Sequence, residues 1–207
     1  LIPSVDSKSA VFTGHILGTA DIKATSGILN ATPSGVITVT PGIAAKVIVE
    51  TAANGSGTAI PSQSLASGSS ITAYSITRDA SNNFVANVPA SVWALENITG
   101  GVLSGDLIPS VDSKSAVFTG HVLGTADIKA SSGILTATPS GVITVTPGIT
   151  AKVIVETAAN GSGTVIPSQS LSSGSSITAY SITRDASNNF VANIAADTWS
   201  LQNILGD

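Results

Sequence analysis

The chain repeats itself. LIPSVDSKSAVFTGH opens at Leu1 and opens again at Leu107, and the offset of 106 residues carries positions 1–100 onto 107–206 with 13 of the 100 aligned positions changed. The changes are mostly conservative: Ile16 becomes Val122, Thr25 becomes Ser131, Ala66 becomes Ser172. A period this long is the size of a small domain, well beyond the 20–50 residues of a solenoid repeat. Near-identity favours recent duplication within a longer array over a two-domain protein of independent function. The start at Leu1 reads as that of a processed product or an excerpt.

The first residues of each repeat make a poor domain start. LIPSVDSKSAVFTG reads as a loop entering a strand. The better break is ITVTPG, at 37–42 and again at 143–148, where an alternating strand ends at Pro-Gly and a new apolar run, AKVIVET, begins. This frame gives three pieces. Residues 1–41 are the C-terminal half of one unit, 42–147 are a complete unit, and 148–207 are the N-terminal half of the next. The ends match each other. Leu205-Gly206-Asp207 reads as running on into Leu1-Ile2-Pro3, as Gly105-Asp106 runs into Leu107, although GGVLSGD in the first repeat is only GD in the second.

Helical spacing is nearly absent and β-branched residues dominate, so the expectation is an all-β chain. Strands are predicted at 45–51, 70–79, 91–97, 115–119, 124–130 and 141–146, with short edge pieces at 61–65 and 133–135. In GTADIKA, Ala126, Ile128 and Ala130 should face a core while Asp127 and Lys129 stay wet. Asp79-Ala80-Ser81-Asn82-Asn83 reads as a turn, since Asn and Asp accept left-handed backbone angles. Six to eight short strands in about 106 residues predict an antiparallel β-sandwich. One Trp per repeat, Trp93 and Trp199, should fill the space between the sheets.

The succession Asp-Ala-Ser-Asn-Asn-Phe-Val, a Trp-bearing strand, Ala-Val-Phe-Thr-Gly, Gly-Thr-Ala-Asp-Ile-Lys-Ala and a closing Ile-Thr-Val-Thr-Pro-Gly resembles the bacterial immunoglobulin-like repeats. These are the invasin-type modules strung along large surface adhesins and extracellular fibres. The resemblance covers the whole chain in the permuted frame. It implies tandem immunoglobulin-like sandwiches, an extracellular or cell-surface location and no enzymatic activity in the module.

Composition narrows the alternatives. Charged residues are 10% of the chain, with 8 Lys and Arg against 12 Asp and Glu and a net charge of −4. Eight cations cannot build a patch that tracks a phosphate backbone, which argues against nucleic acid. With no Cys, disulfides and thiolate chemistry are excluded. No apolar run approaches the ~20 residues of a membrane-spanning helix.

The candidate sites are few. His15 and His121 occupy equivalent loops without a nearby nucleophile, and one His per repeat is too few for zinc. Asp79, Ser81, Asn82 and Asn83, with Asp185, Ser187, Asn188 and Asn189, offer oxygens to calcium but only one carboxylate per cluster. Their reading as a self-bonded turn is preferred, as it is for Asp6 and Asp112. Lys46 and Lys152 are weighed as amide cross-linking lysines and read instead as solvent-facing. Asn97-Ile98-Thr99 fits a glycosylation triplet that Asn203-Ile204-Leu205 lacks. No catalytic, cofactor-binding or metal residue is assigned, and no cofactor. The expected function is a structural stalk or filament whose partners are identical or neighbouring repeats, head to tail. The alternative is an adhesin module binding a glycan or host protein through its loops, with Tyr74, Arg78 and Phe84 as the nearest to anchors.

Overall fold

A computed structural model describes residues 1–205, so the expected junction of Asp207 with a following Leu1 lies outside the described residues. The chain is all-β. Its strands are β1 (Ile2–Pro3), β2 (Ala10–Val11), β3 (Gly18–Ala20), β4 (Ile37–Val39), β5 (Ala44–Glu50), β6 (Gln63–Ala66), β7 (Ser70–Asp79), β8 (Phe84–Asn87), β9 (Val92–Gly100), β10 (Leu107–Pro109), β11 (Ser115–Thr119), β12 (Gly124–Ser131), β13 (Thr136–Thr138), β14 (Ile143–Thr146), β15 (Thr150–Glu156), β16 (Tyr180–Asp185) and β17 (Phe190–Asn193). One short 3-10 turn, Ser104–Asp106, precedes β10.

Strands β5 to β14 form two sheets. One has the order β10-β11-β7-β5-β13, with β8 also on β7; the other is β6-β14-β12-β9. They face each other across one apolar core, in which Val47, Val49, Phe118, Ile128, Ile143 and Val145 are fully or almost fully buried. The inward residues alternate along each strand, as a half-buried sheet requires. Most pairings are antiparallel, but two are parallel: β13 with β5, and β14 with β6. The expectation of a wholly antiparallel sandwich is corrected here. β13 and β14 return from the far side of the body, so each meets its partner in the same direction rather than through a hairpin.

Two other expectations change. Asp127 is buried rather than wet, because a bulge opposite Thr125–Asp127 brings Asn97 over it and the Asn97 amide donates to Asp127 Oδ2 at 2.6 Å. Trp93 is partly buried against the core, and its indole N–H reaches outward to the Ser113 carbonyl at 2.9 Å. Ala126, Ile128 and Ala130 face inward as expected.

The flanking segments repeat these sequences without their partners. Strands β1 and β2 pair, as do β3 and β4, while β15, β16 and β17 form a separate three-stranded sheet; among the described residues no strand of 1–41 pairs with one of 148–205. The tetrapeptide SITA is strand at 70–73, where β11 lies alongside, but falls outside β16 at 176–179, where no such neighbour is present. Likewise GTADIKA runs through β12 beside β9, yet only its first three residues are strand in β3. Equal sequences with unequal structure show tertiary pairing, rather than local propensity, deciding strand length.

Burial tells the same story. Val47 and Val49 are 0% exposed, whereas Val153 and Val155 are 57% and 43% exposed. On the opposite face of that sheet Ile182 and Glu156 remain buried, since the strands and loop that cover them lie within 150–193. On the face that carries Val153 and Val155 the β15 side chains are bare, while Ser181 and Thr183 of β16 stay covered.

Phe118→Ala should lower the stability of the 44–146 body by about 4 kcal/mol through the lost transfer energy and the cavity left behind. Phe12→Ala, in the unpartnered copy, should cost far less. Hydrogen exchange of the β5–β14 amides in denaturant distinguishes the two, and equal effects would contradict the burial contrast.

Candidate functional site: the turn that joins successive repeats

The turn between β7 and β8 is built by Asp79. Asn82 sits at φ 70°, in the left-handed region that Asn tolerates and that closes the chain on itself. The Asp79 carboxylate then receives the Asn83 N–H at 2.8 Å and the Asn83 side-chain amide at 2.9 Å. A third bond comes from outside the turn, from the Gly42 N–H in the Pro-Gly linker, at 2.9 Å. The second copy is nearly superposable in its bonding: Asp185 accepts from Asn189 N–H at 2.8 Å, Asn189 Nδ2 at 2.8 Å and Gly148 N–H at 2.9 Å. The carboxylate fixes the linker to the turn.

The Asn side chain reaches farther. Asn83 Nδ2 donates to the His15 carbonyl at 2.9 Å, and Asn189 Nδ2 donates to the His121 carbonyl at 2.8 Å. Both bonds cross from one side of the linker to the other. At the second joint the acceptor side is fuller. The Ser67 hydroxyl donates to the His121 carbonyl at 2.6 Å and stands 3.2 Å from Asn189 Nδ2, and Leu123 N–H donates to Asn189 Oδ1 at 3.3 Å. Asn189, with Ser67 beside it, is buried there, while Asn83 is half-buried. Gly148 is required by close approach: a Cβ on it would fall 2.5 Å from the Ser67 carbonyl oxygen.

Electrostatics support the ionised form. The Asn83 amide and then the Gly42 N–H hold the Asp79 carboxyl down at about 2. At Asp185 burial opposes the charge, and the bonds from Asn189 and Gly148 outweigh it, so this carboxyl also lies below its ordinary value. With both oxygens of each carboxylate accepting N–H bonds, the cluster weighed for calcium is used as a hydrogen-bonded turn. Among the described residues no group of three or more His, Cys, Asp or Glu is placed to hold a metal.

The remaining candidates fall into structural settings. Beneath the turn, Arg78 meets Glu50 through two bonds, one of them 2.8 Å from Nη2, and donates to the Asn82 carbonyl at 2.9 Å. Phe84 lies against Gly55, whose φ of 81° and missing Cβ let the ring approach; a Cβ there would sit 2.4 Å from it. Tyr74 is half-buried in β7. Arg184 and Glu156 repeat the ion pair, and the guanidinium hydrogen bond holds the Glu156 carboxyl below its ordinary value. Asp6 and Asp112 accept from Ser4 and Ser110 hydroxyls, both at 2.7 Å, in hairpin turns. Lys46 is half-buried and Lys152 exposed. The Asn97 amide is committed to Asp127.

His121 Nδ1 lies 2.8 Å from Asp106 Oδ1, a pairing that sequence spacing did not signal. The joint itself was also missed: the sequence marks the turn and the Pro-Gly linker separately, but not the carbonyl that the Asn side chain reaches 68 residues away. The chain matches no family model, no curated protein and no solved structure.

The two turns should make stability acid-sensitive. A carboxyl whose native pKa lies below its unfolded value of about 3.9 adds stability above that value. That contribution is lost as the pH falls through the native pKa. The urea midpoint should stay level from about pH 7 to about 4 and fall between about 4 and 2, with part of the fall absent in Asp79→Asn. An undiminished midpoint at pH 2 would contradict this role.

Proposed function

We propose that the chain is a structural segment of an extracellular or cell-surface filament or stalk, built from tandem immunoglobulin-like units that propagate head to tail. The observation that carries this reading is the complementarity of the two flanks. Residues 107–147 supply β10 to β14, which complete the body begun by 42–106. Residues 1–41 carry almost the same sequence as that completing segment, and 148–205 almost the same sequence as the part it completes.

The partner surface follows from the repeat. The register of β11 on β7 pairs Ser115 with Tyr74 and Phe118 with Ile71. Carried across the repeat, Ser9 and Phe12 of a neighbouring repeat would meet Tyr180 and Ile177. That neighbour would cover Val153 and Val155 and the edge of β16, an exposed strand edge being prone to pair with another chain. Addition at one end recreates the same surface at the other, so the assembly is open. The neighbour is either continuous in one chain or a second copy. No helix among the described residues is long and apolar enough to cross a membrane.

The binding-module alternative draws less support, because Arg78 is engaged by Glu50 and Phe84 by the Gly55 loop, leaving them poor anchors for a ligand. Electron microscopy of the native material tests the proposal. Thin, unbranched rods with a regular repeat are expected; compact isolated particles would overturn it.

A further inference from the structure

The filament reading says that units follow one another but not whether they turn freely about the Pro-Gly linker. We propose that each two-sheet body ends in a socket, formed by Ser67, the His121 carbonyl and the Leu123 N–H, which seats the Asp185–Asn189 turn of the following unit and fixes the angle between them. The inference rests on the tandem-unit reading and deepens it by naming the face through which one repeat holds the next.

The two joints in the chain, nearly identical in sequence, share one geometry. The linker bond to the Asp carboxylate is 2.9 Å in both, and the bond from the Asn amide to the His carbonyl is 2.9 Å in one and 2.8 Å in the other. In both joints this bond spans groups 68 residues apart. At the fuller joint the Asn189 amide is used at both ends: its nitrogen donates to the His121 carbonyl and to its own Asp185, with Ser67 Oγ 3.2 Å away, and its oxygen accepts from the Leu123 N–H. Only a planar group with a donor and an acceptor side can do this. The side chain is buried, so these bonds are made away from water. Ser67 Oγ holds the same carbonyl from the preceding body at 2.6 Å. Gly148 admits the linker between Ser67 and Asp185, with the Ser67 carbonyl oxygen 2.5 Å and Asp185 Oδ2 3.4 Å from where a Cβ would lie. The Asp185 carboxylate accepts N–H bonds on both oxygens, from Asn189 and Gly148.

The socket also gives the chain a direction. The acceptor groups lie at one end of the body, beside the starts of β7 and β12, and the Asp–Asn turn lies at the other, after β7. Each body therefore presents a socket forward and a turn backward.

Spin-label distance measurement on the whole chain tests this. The sequence has no Cys, so Ser64→Cys and Asn193→Cys place the only two labels, one on each side of the joint. A single narrow distance distribution is expected. Ser67→Ala, Gly148→Ala and Asn189→Ala should each broaden it, with a roughly fivefold rise in the open fraction for the loss of one hydrogen bond. Asn188→Gly, which keeps the left-handed turn, should leave it narrow. A second label pair, Lys152→Cys with Asn193→Cys, reports whether β15–β17 stay folded. If Asn189→Ala disturbs that pair, Ser67→Ala and Gly148→Ala, both outside the turn, decide the matter. A broad distribution in the parent, or no change in those two variants, would overturn the socket. Filaments seen with a loose joint would remove the socket alone; a fixed joint without filaments would remove the filament reading alone.

Discussion

Closure of the sheets is the constraint on which the rest of this structure depends. Two parallel pairings, β13 on β5 and β14 on β6, bring the last strands of the body onto its first ones. Without β10 to β14 the inner face of β5 has no β12 facing it, and the two sheets cannot enclose a core. Hydrophobic burial is the main favourable contribution to folding, so the half-unit gains only what its outer face can bury. The third segment shows that intermediate condition directly: Ile182 and the Glu156–Arg184 pair are sequestered, while Val153, Val155 and Trp199 stand in solvent. The repeat boundary in sequence and the closure boundary in structure are thus out of phase, and each body spans two repeats.

Much of this was legible in the residues. Alternation in GTADIKA and SITRD, the Pro-Gly break and the left-handed Asn all announced the elements they form. The strands missed were short and unremarkable in pattern: Phe84–Asn87, Leu107–Pro109 and Thr136–Thr138 owe their extended form to a neighbour. The parallel pairings were hidden for a related reason. Alternation specifies which face is buried but not the direction of the partner strand. Asp127 shows the limit of a face assignment, since a bulge placed an amide over a carboxylate that alternation had given to solvent.

The joint was half legible. The run Asp79-Ala80-Ser81-Asn82-Asn83 predicts a self-bonded turn, and Asp79 and Asn83 form one. The sequence could not show that the same amide would continue to a backbone carbonyl in the preceding body, because a carbonyl carries no residue signature. The contact is made of amides, hydroxyls and backbone groups around a single ionised carboxylate stabilised by N–H donors, so it does not depend on attraction between distant charges.

Completion of the third segment is the central claim, and Trp199 reports it. Trp199 is 57% exposed, whereas its counterpart Trp93 lies against a closed core. Residues 101–147 would be repeated after Gly206 in a chain carrying Trp93→Phe, so that Trp199 is the only tryptophan. The emission of Trp199 should then shift to the blue and its quenching by acrylamide should fall to that of Trp93 in the parent. A Trp199 that stays as exposed as before would contradict the account.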